Sequence, residues 1–304
     1  MFTVKPLLSV ATLLTVLSGC SQTVEQNETT ATAESAATAK GATTYARFVP
    51  ERLDDFAWEN DLVAFRAYGP AARAGSENSG VDCWLKRVNY PIIDLWYKRA
   101  TEQKISYHKD HGEGLDNYHV GSSAGCGDAA LWLDGQRQPL ETYTHWEIIK
   151  QEKQQTKFNL FYELAIAGDT YKKTKTVSIE LGKRLFSVEE TFWKNDQLMI
   201  NQPIAIGVAT HDGKGQATFN PEAGFISVWE NIGGDNLGTG IKLAADTITA
   251  QKLINEPDVK DDGHALYLVN TNEEGKVFYN VGYGWSKAGE ITTEQQWLEY
   301  LENF

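Results

Sequence analysis

The residues best suited to chemistry lie together in one polar segment, Tyr107 to Asp128, with the sequence YHKDHGEGLDNYHVGSSAGCGD. Three of the six histidines, His108, His111 and His119, fall within it, together with two tyrosines and five glycines. Because glycine adopts positive φ without a Cβ clash, the segment is predicted to fold as a tight loop. It is too polar to be core, and its imidazoles, carboxylates and phenols make it the first candidate for a catalytic site.

The same residues could bind a metal instead of exchanging protons. Imidazole and carboxylate groups are ligands for Zn²⁺ or Mn²⁺, and the candidate set for a divalent cation is His108, His111, Asp110 and Glu113. Their spacing does not show that the side chains converge, and no EF-hand pattern is present. A third interpretation is a structural cap whose carboxylates hydrogen-bond their own backbone, which would explain the glycines but not the histidines. We favour acid–base use of the segment, with Tyr107 and Tyr118 as further candidates.

A second candidate position follows an apolar run at 203–211, PIAIGVATH. His211 ends this run just before a glycine-containing turn, and Lys214 lies three residues further along the chain. Functional residues concentrate at such strand ends, and histidine can change its charge near neutral pH. His211 is therefore predicted to act as a base or to contact a substrate carboxylate, and Lys214 is a candidate to neutralise that carboxylate.

Three more residues are candidates for substrate binding. Alternation in the run VAFRAY, residues 63–68, places Arg66 on the opposite face of a strand from Phe65. His145, in YTHWEI, could line the same cleft. Trp285 is a candidate platform for a sugar, since pyranose rings present apolar C–H faces to aromatic rings.

The elements that must position these residues are mainly strands. Alternating or β-rich runs are predicted as strands at 158–166, 175–181, 185–193, 203–211, 224–230, 238–246, 264–271 and 277–284. The strands do not alternate with helices, so the fold class is predicted to be mainly β, an antiparallel β-sandwich with a few short helices.

Two regions have a helical pattern. Residues 84–99 are predicted to form a short helix or an irregular crossover. At the C-terminus, Thr292 or Thr293 can cap a helix whose apolar stripe includes Trp297 and Leu301, and this helix is predicted to pack against a sheet.

The first 19 residues are predicted to be a lipoprotein signal peptide. Lys5 gives a positive start, residues 7–16 are apolar, and Leu17-Ser18-Gly19-Cys20 matches the site at which bacterial lipoproteins are cleaved and acylated. Cys20 is thus the predicted lipidation site, and 20–43 a disordered tether to a single domain at 44–304. By analogy with other lipoproteins, Ser21 after the cysteine predicts an anchor in the cell outer membrane, periplasmic or surface-facing.

The formal net charge of −13 disfavours nucleic acid and anionic membrane faces as partners. It would also slow encounter with a polyanionic polysaccharide unless the binding cleft is locally basic. Cys83 and Cys126 remain in the predicted domain, and in an oxidising compartment they are predicted to form a disulfide. The alternative is two buried free thiols.

The motifs HKDHGEGLDNYHVGSSAGCGDAALW, DDFAWENDLVAFRAYGPA and GVATHDGKG resemble a family of secreted bacterial proteins known as domain-of-unknown-function family 4861. The resemblance covers most of the folded chain. It implies a galactose-mutarotase-like β-sandwich and an association with the degradation of uronic-acid polysaccharides such as pectin and ulvan. It supplies no catalytic residues, so the assignments come from residue chemistry.

The expected activity is that of a carbon–oxygen lyase, a dehydratase or polysaccharide-lyase-like enzyme, acting on uronic-acid-containing oligosaccharides. Elimination needs a base for the C5 proton, an acid for the oxygen leaving C4, and a cation or strong donors for the carboxylate. The candidates for base and acid are His108, His111, His119, His211, Tyr107 and Tyr118. The candidates for substrate contact are Arg66, Lys109, Lys214, His145 and Trp285.

Two other functions stay open. The chain could be a non-catalytic carbohydrate-binding lipoprotein, or a mutarotase-like sugar epimerase that uses the same cleft. No nucleophile elbow, phosphate-binding loop or dinucleotide fingerprint is present in the sequence, which disfavours serine hydrolase and nucleotide-dependent functions.

Overall fold

The computed structural model describes residues 41–211, 213–255, 261 and 263–304. The predicted signal peptide, the lipidation site Cys20 and most of the predicted tether lie outside the described residues. Within the described ranges, no helix is both long enough and apolar enough to cross a membrane.

Strands dominate the described chain, and every pairing between them is antiparallel, so the predicted mainly β, antiparallel fold class is confirmed. In chain order the strands and α-helices are β1 (Tyr45–Val49), β2 (Asp55–Glu59), β3 (Ala64–Ala67), β4 (Asp82–Lys86), α1 (Ile93–Glu102), β5 (Gly114–Leu115), β6 (Asp128–Leu133), β7 (Gln136–Gln138), β8 (His145–Gln151), β9 (Gln155–Ile166), β10 (Asp169–Glu180), β11 (Leu185–Lys194), β12 (Gln197–Leu198), β13 (Pro203–Ala209), β14 (Gln216–Asn220), β15 (Phe225–Ile232), β16 (Asp235–Lys242), β17 (Ile248–Ile254), β18 (His264–Asn270), β19 (Lys276–Trp285) and α2 (Glu294–Asn303). Short 3₁₀ turns lie at Pro70–Ala72, Ala245–Thr247 and Ser286–Ala288.

The strands form three sheets. A large sheet has the order β14-β15-β16-β19-β11-β10-β9-β8, with β12 paired to β11. A second sheet, β17-β18-β13-β6-β7, packs on the inner face of the large one, where Ile206 and Val208 meet Val228 and Ile241 in a common core. Along β10, buried residues alternate with half-exposed ones, as expected for a strand with one face on the core and one toward solvent.

The third sheet, β1-β2-β3-β4-β5, carries the candidate site. One of its faces puts Trp58 and Phe65 into the main core, and the other puts Ala64 and Trp84 against α1. Because both faces are covered, every residue of β2, β3 and β4 is buried. Arg66 lies opposite Phe65, as the alternation predicts, but on a covered face rather than an open one.

Helix α1 overlaps the region 84–99 that was predicted as a short helix or crossover, but it extends to Glu102, and residues 84–86 belong to β4. A distant carboxylate caps the helix. Its N-cap residue, Ile92, has no side-chain donor or acceptor. Instead, the buried Glu59 carboxylate accepts hydrogen bonds from the backbone N–H groups of Ile92 and Ile93 at 2.9–3.0 Å. The Lys86 ammonium lies 2.7 Å from the same carboxylate, so a buried ion pair ties α1 to the third sheet.

Helix α2 confirms the predicted C-terminal helix and its packing. Thr293 and Gln296 form a reciprocal capping box. The buried Trp297 ring packs over the large sheet and donates its indole N–H to the Thr239 carbonyl at 3.2 Å. A Cβ at Gly238 would lie 2.4 Å from that ring, which explains the glycine there.

Candidate active site

The polar segment predicted as an active-site loop is fixed to the third sheet at several points. Its Gly114 pairs with β4 at φ +126°, and a Cβ there would lie 1.8 Å from the Leu85 carbonyl oxygen. A disulfide between Cys83 and Cys126 joins β4 to the end of the segment, with 6.0 Å between the Cα atoms. The expectation that the segment is too polar to be core was wrong for Asp116 and Tyr118, which are 2% and 4% exposed.

Arg66 is the centre of a buried cluster of charges. Its Nη2 lies 2.5 Å from Asp82 Oδ2 and 3.3 Å from Asp116 Oδ2. Its Nη1 lies 3.6 Å from Asp55 Oδ2. We call these four residues the Arg66 cluster. Arg52, at 3.1 Å from Asp55, brings a second cation to its edge. Three buried carboxylates therefore surround one fully buried guanidinium.

The Arg66 cluster holds its carboxylates in surroundings that disfavour their charged form. Burial raises the pKa of Asp55 to about 6, against the opposing charges of Arg66 and Arg52. Burial raises the pKa of Asp116, and the charge of Asp82 raises it further. Burial also raises the pKa of Asp82, although Arg66 opposes the shift. Neighbouring carboxyls of this kind tend to share a proton, and clusters with strongly perturbed pKa values are common at functional sites.

Several polar atoms around the cluster have no hydrogen-bond partner among the described residues. They are Arg66 Nε and Nη1, Asp82 Oδ1 and the hydroxyls of Tyr68 and Tyr118. Buried polar groups are normally paired. Burial raises the pKa of both phenols, and nearby carboxylates add to the shift, so both stay protonated and can donate. Unpaired phenol and guanidinium donors are groups that bind a carboxylate or an oxygen-rich ligand.

His108 lies at the outer side of the cluster in an arrangement suited to a base. Its Nδ1 is 2.7 Å from the Asp116 carbonyl oxygen and 3.6 Å from the Asp116 carboxylate. A carbonyl only accepts hydrogen bonds, so Nδ1 carries a proton and Nε2 of the neutral ring holds the free lone pair. The side chain is 60% exposed, its ring packs 4.6 Å from Tyr107, and Nε2 contacts none of the residues described.

His119 and His211 meet beside Tyr118. His211 Nδ1 lies 2.7 and 2.8 Å from the two oxygens of Glu230, and its Nε2 lies 2.7 Å from the His119 carbonyl oxygen. Both partners are acceptors, so the ring is arranged as a double donor. His119 lies between two carboxylates, with Nδ1 3.4 Å from Glu77 and Nε2 2.7 Å from Asp261.

The local backbone at His211 is also unusual. It has φ +45°, a left-handed conformation that non-glycine residues rarely adopt and that concentrates at functional sites. The Tyr118 ring packs edge-on 4.6 Å from the His211 ring. The structure thus joins the strand-end histidine to the loop, across 92 residues of sequence.

Tyr107, Lys109 and His111 lie together around a small pocket next to α1. His111 Nε2 is 3.1 Å from the Ser106 carbonyl oxygen. The Tyr107 ring packs 5.1 Å from Trp84 and is half-buried, whereas Lys109 is exposed.

The candidate metal set His108, His111, Asp110 and Glu113 does not converge. Asp110 pairs with Arg87 at 3.0 Å and Lys287 at 3.3 Å. Glu113 pairs with Arg99 at 2.6 Å. In the described part of the chain, no three or more His, Cys, Asp or Glu side chains are grouped so that they could hold a metal ion.

The remaining candidates do not join these contacts. His145 is exposed on the edge strand β8, where its ring stacks 5.7 Å from Phe161. Lys214 is exposed in the turn after β13. Trp285 is 1% exposed, so its prediction as a sugar platform was wrong, because core residues cover the ring. His264, which is not among the sequence-based candidates, is buried, and its Nε2 accepts the Ala124 N–H at 3.1 Å.

Several residues at the site are absent from the sequence-based candidates: Arg52, Asp55, Glu77, Asp82 and Glu230. Asp82 had a usable signal. It interrupts the apolar run VDCWL, and a charge within a buried strand must be paired. Its partner was not deducible without knowing that β3 and β4 are neighbours.

The sequence profile of the family described as "Domain of unknown function (DUF4861)" matches residues 15–304. "Uncharacterized protein P7" of Formosa agariphila is 36% identical over 270 residues, which is 86% of this chain and 66% of that protein. The chain therefore spans just under two-thirds of the length of this relative.

Two solved structures are similar in the arrangement of strands. One is a putative aldose 1-epimerase from Klebsiella pneumoniae, with a TM-score of 0.38, 9% identity and coverage of 87% of this chain and 91% of that one. The other is the alpha-galactosidase from Lactobacillus brevis, with a TM-score of 0.35, 9% identity and coverage of 84% and 42%.

Proposed function

The chain belongs to the DUF4861 family, and we propose, from the chemistry of its site, that it is a carbon–oxygen lyase for uronic-acid-containing oligosaccharides such as those of ulvan or pectin. One observation carries the proposal. His108 presents a free imidazole nitrogen to solvent and is held by Asp116, whose carboxylate lies on the buried Arg66. A base is thereby fixed beside the Arg66 cluster, which has the partly exposed Arg52 at its edge.

The reaction needs three groups. A base removes the C5 proton, the electron pair forms the C4–C5 double bond, and the C4–O bond breaks as an acid protonates the leaving oxygen. His108 Nε2 is suited to take the proton. Arg52, which is partly exposed at the edge of the Arg66 cluster, is suited to bind the uronate carboxylate, which stabilises the enediolate charge. Tyr107, which is half-buried and packs 4.6 Å from the His108 ring, is suited to donate to the leaving oxygen.

The test is the rise in ultraviolet absorbance from a 4,5-unsaturated uronate while the protein is incubated with oligosaccharides from ulvan, pectin or alginate. His108→Gln should lower the rate roughly 100-fold or more, since general-base catalysis contributes about 10²–10⁴-fold. The matched control is His145→Gln, which removes another exposed histidine and should keep the rate. Repeating the assay with a chelator asks whether a divalent cation takes part.

Two results would overturn the lyase. A change of anomer ratio by NMR without any absorbance rise would make the protein a mutarotase-like epimerase. Saturable binding of the oligosaccharides with neither change would make it a carbohydrate-binding lipoprotein. Full activity in His108→Gln would keep the reaction and remove His108 as its base.

The proposal includes a lipid anchor at Cys20 and location at the cell outer membrane. The support is the match of residues 17–20 to the lipoprotein cleavage site. Cys20→Ala should move the protein from the membrane fraction to the soluble fraction of the cell envelope. Retention of this variant on the membrane would contradict the anchor.

A further inference from the structure

The outer face of the large sheet contains a groove of about 620 Å³ that shares no residue with the site around His108. It lies across β9, β10, β11, β19 and β16, and the C-terminal Phe304 and the turn at Thr247 form part of its rim. These strands turn alternate side chains to the core, so the outward-facing ones in the groove, such as Ser178 and Glu189, are not required for packing.

The lining is a regular cross-strand row. Lys157 pairs with Ser178, Ser178 with Ser187, Ser187 with Asn280, and Asn280 with Lys242. The row crosses five strands, or roughly 19 Å at the usual strand spacing. It places short hydroxyl and amide groups in the middle and a lysine at each end.

A second row lies beside the first and supplies an aromatic ring. Thr176 pairs with Glu189, and Glu189 with Phe278. Phe278 is 54% exposed, although it is a large apolar side chain in the middle of a sheet. An exposed ring beside hydroxyls and amides is the combination that a sugar needs, because its C–H face packs on the ring and its hydroxyls hydrogen-bond.

The charge of the groove is opposite to that of the chain. Three lysine side chains line it against one carboxylate side chain, Glu189, whereas the whole chain has a formal net charge of −13. Lys276 is 2.9 Å from Glu189, and Lys242 donates to the Leu301 carbonyl at 2.8 Å. Lys157 forms no ion pair with any of the described residues. A local basic surface on an acidic protein attracts an anionic ligand.

We propose that this groove is a second, non-catalytic binding site for an anionic oligosaccharide. One sugar ring packs on Phe278, hydroxyls meet Ser178 and Asn280, and acidic groups lie toward Lys157 and Lys242. The described lining contains no histidine and only one carboxylate side chain, so the groove holds a chain rather than cleaving it. The inference goes beyond the lyase proposal and does not depend on chemistry at His108.

The test is calorimetric titration with tetragalacturonate, with cellotetraose as the uncharged counterpart. All titrations use the His108→Gln background, in which any turnover is expected to be slowed roughly 100-fold or more. The groove variant is Phe278→Ala with Lys157→Gln. The matched control, Leu253→Ala with Lys252→Gln, removes an exposed apolar residue and a neighbouring exposed lysine from β17 in the other sheet.

The groove variant should bind tetragalacturonate at least about tenfold more weakly, and the control should bind as the background does. Affinity should fall at high salt, and cellotetraose should bind more weakly than the acidic chain. Equal affinities for the two saccharides, or an unchanged affinity in the groove variant, would overturn the proposal. The titration result is independent of the absorbance assay, so the two proposals can fail separately.

Discussion

Two of the buried groups of charge in the described part of the chain differ in their balance of cations and anions. The Arg66 cluster has three carboxylates around one guanidinium, with a second arginine at its edge. Between the large sheet and β6, Lys173 and Lys175 face Asp128 and Glu190, which we call the Lys175 cluster. It contains two cations and two anions, and each lysine contacts both carboxylates.

The pKa shifts of the carboxyl groups differ between the two clusters. Burial would raise the pKa of Asp128, but the charges of Lys173 and Lys175 outweigh it and lower the pKa well below its usual value. For Glu190 in the same cluster, burial prevails over the two lysines and the pKa rises. In the Arg66 cluster burial prevails, and the pKa values of all three carboxylates rise. A balanced cluster stabilises its own charges and has a structural role, whereas an unbalanced one keeps unpaired donors and titratable carboxyls at a place where a ligand can use them.

The largest expected effect comes from unbalancing the structural cluster. Lys175→Met would leave Asp128 and Glu190 to share Lys173, as Asp82 and Asp116 share Arg66. Removing one partner of a buried ion pair costs about 3–5 kcal/mol. Urea unfolding at neutral pH should show a loss of that size, and a smaller loss under acidic conditions, where the extra carboxylate takes up a proton.

The control for this change is Lys172→Met on the same strand. Lys172 lies on the opposite face and pairs with Asp196 at the surface. The urea midpoint of Lys172→Met should be nearly the same as that of the unchanged protein. Equal midpoints for Lys175→Met and Lys172→Met would mean that the buried cluster does not stabilise the sandwich.

The next effect compares the same substitution in both clusters. Asp128→Asn removes a charge that the fold stabilises and should cost about 2–4 kcal/mol at neutral pH. Asp82→Asn removes a charge that the fold disfavours, and two carboxylates still surround Arg66. It should cost less than about 1 kcal/mol or increase stability. Urea unfolding of the two variants side by side measures the difference, and a greater cost for Asp82→Asn would reverse the comparison.

A smaller effect is a pH dependence with a defined sign. Asp55 has a folded pKa of about 6 against a usual value of 3.8. Its contribution to stability is therefore fully present below about pH 4 and is lost as the pH rises through about 6. Between these two pH values the free energy of unfolding of Asp55→Asn should decrease by roughly 1–3 kcal/mol less than that of the unchanged protein.

The measurement is urea unfolding at steps of pH between these limits. Only the slope is compared, because the substitution also alters the hydrogen bond from Tyr97 at 3.1 Å. An unchanged slope would show that Asp55 does not hold a proton in the folded protein.

The sequence predicted β9, β10 and β11 of the large sheet because one face of each of these strands is exposed to solvent. For example, the run at 185–193 was predicted as a strand, and the strand is Leu185–Lys194. The same alternation misled where both faces are covered. Arg66 and Trp285 were taken as accessible, but α1 and core residues cover them, and such packing cannot be deduced from the strand alone.

The site was predicted in part for a similar reason. Histidines and glycines close in sequence located the loop, and the strand-end position of His211 identified a residue that does meet it. The carboxylates that set the electrostatics, Asp55 and Asp82, come from separate strands. Their convergence on Arg66 depends on the pairing order β2-β3-β4, which is a long-range property.

The smallest expected effects on stability come from removing one tyrosine hydroxyl beside each cluster, and these two substitutions also distinguish the roles of the clusters most directly. The Tyr279 hydroxyl donates to Glu190 at 3.0 Å within the Lys175 cluster, whereas the Tyr118 hydroxyl has no partner among the described residues. Tyr279→Phe should cost about 1–2 kcal/mol because a buried carboxylate loses a donor. Tyr118→Phe removes an unpaired hydroxyl and should change stability by less than about 0.5 kcal/mol.

If the Tyr118 hydroxyl acts on substrate, Tyr118→Phe should nevertheless lower the elimination rate, while Tyr279→Phe should keep it. Unfolding and absorbance assays on both variants would then give opposite rankings. Identical rankings in the two assays would mean that the unbalanced cluster, like the balanced one, only supports the fold.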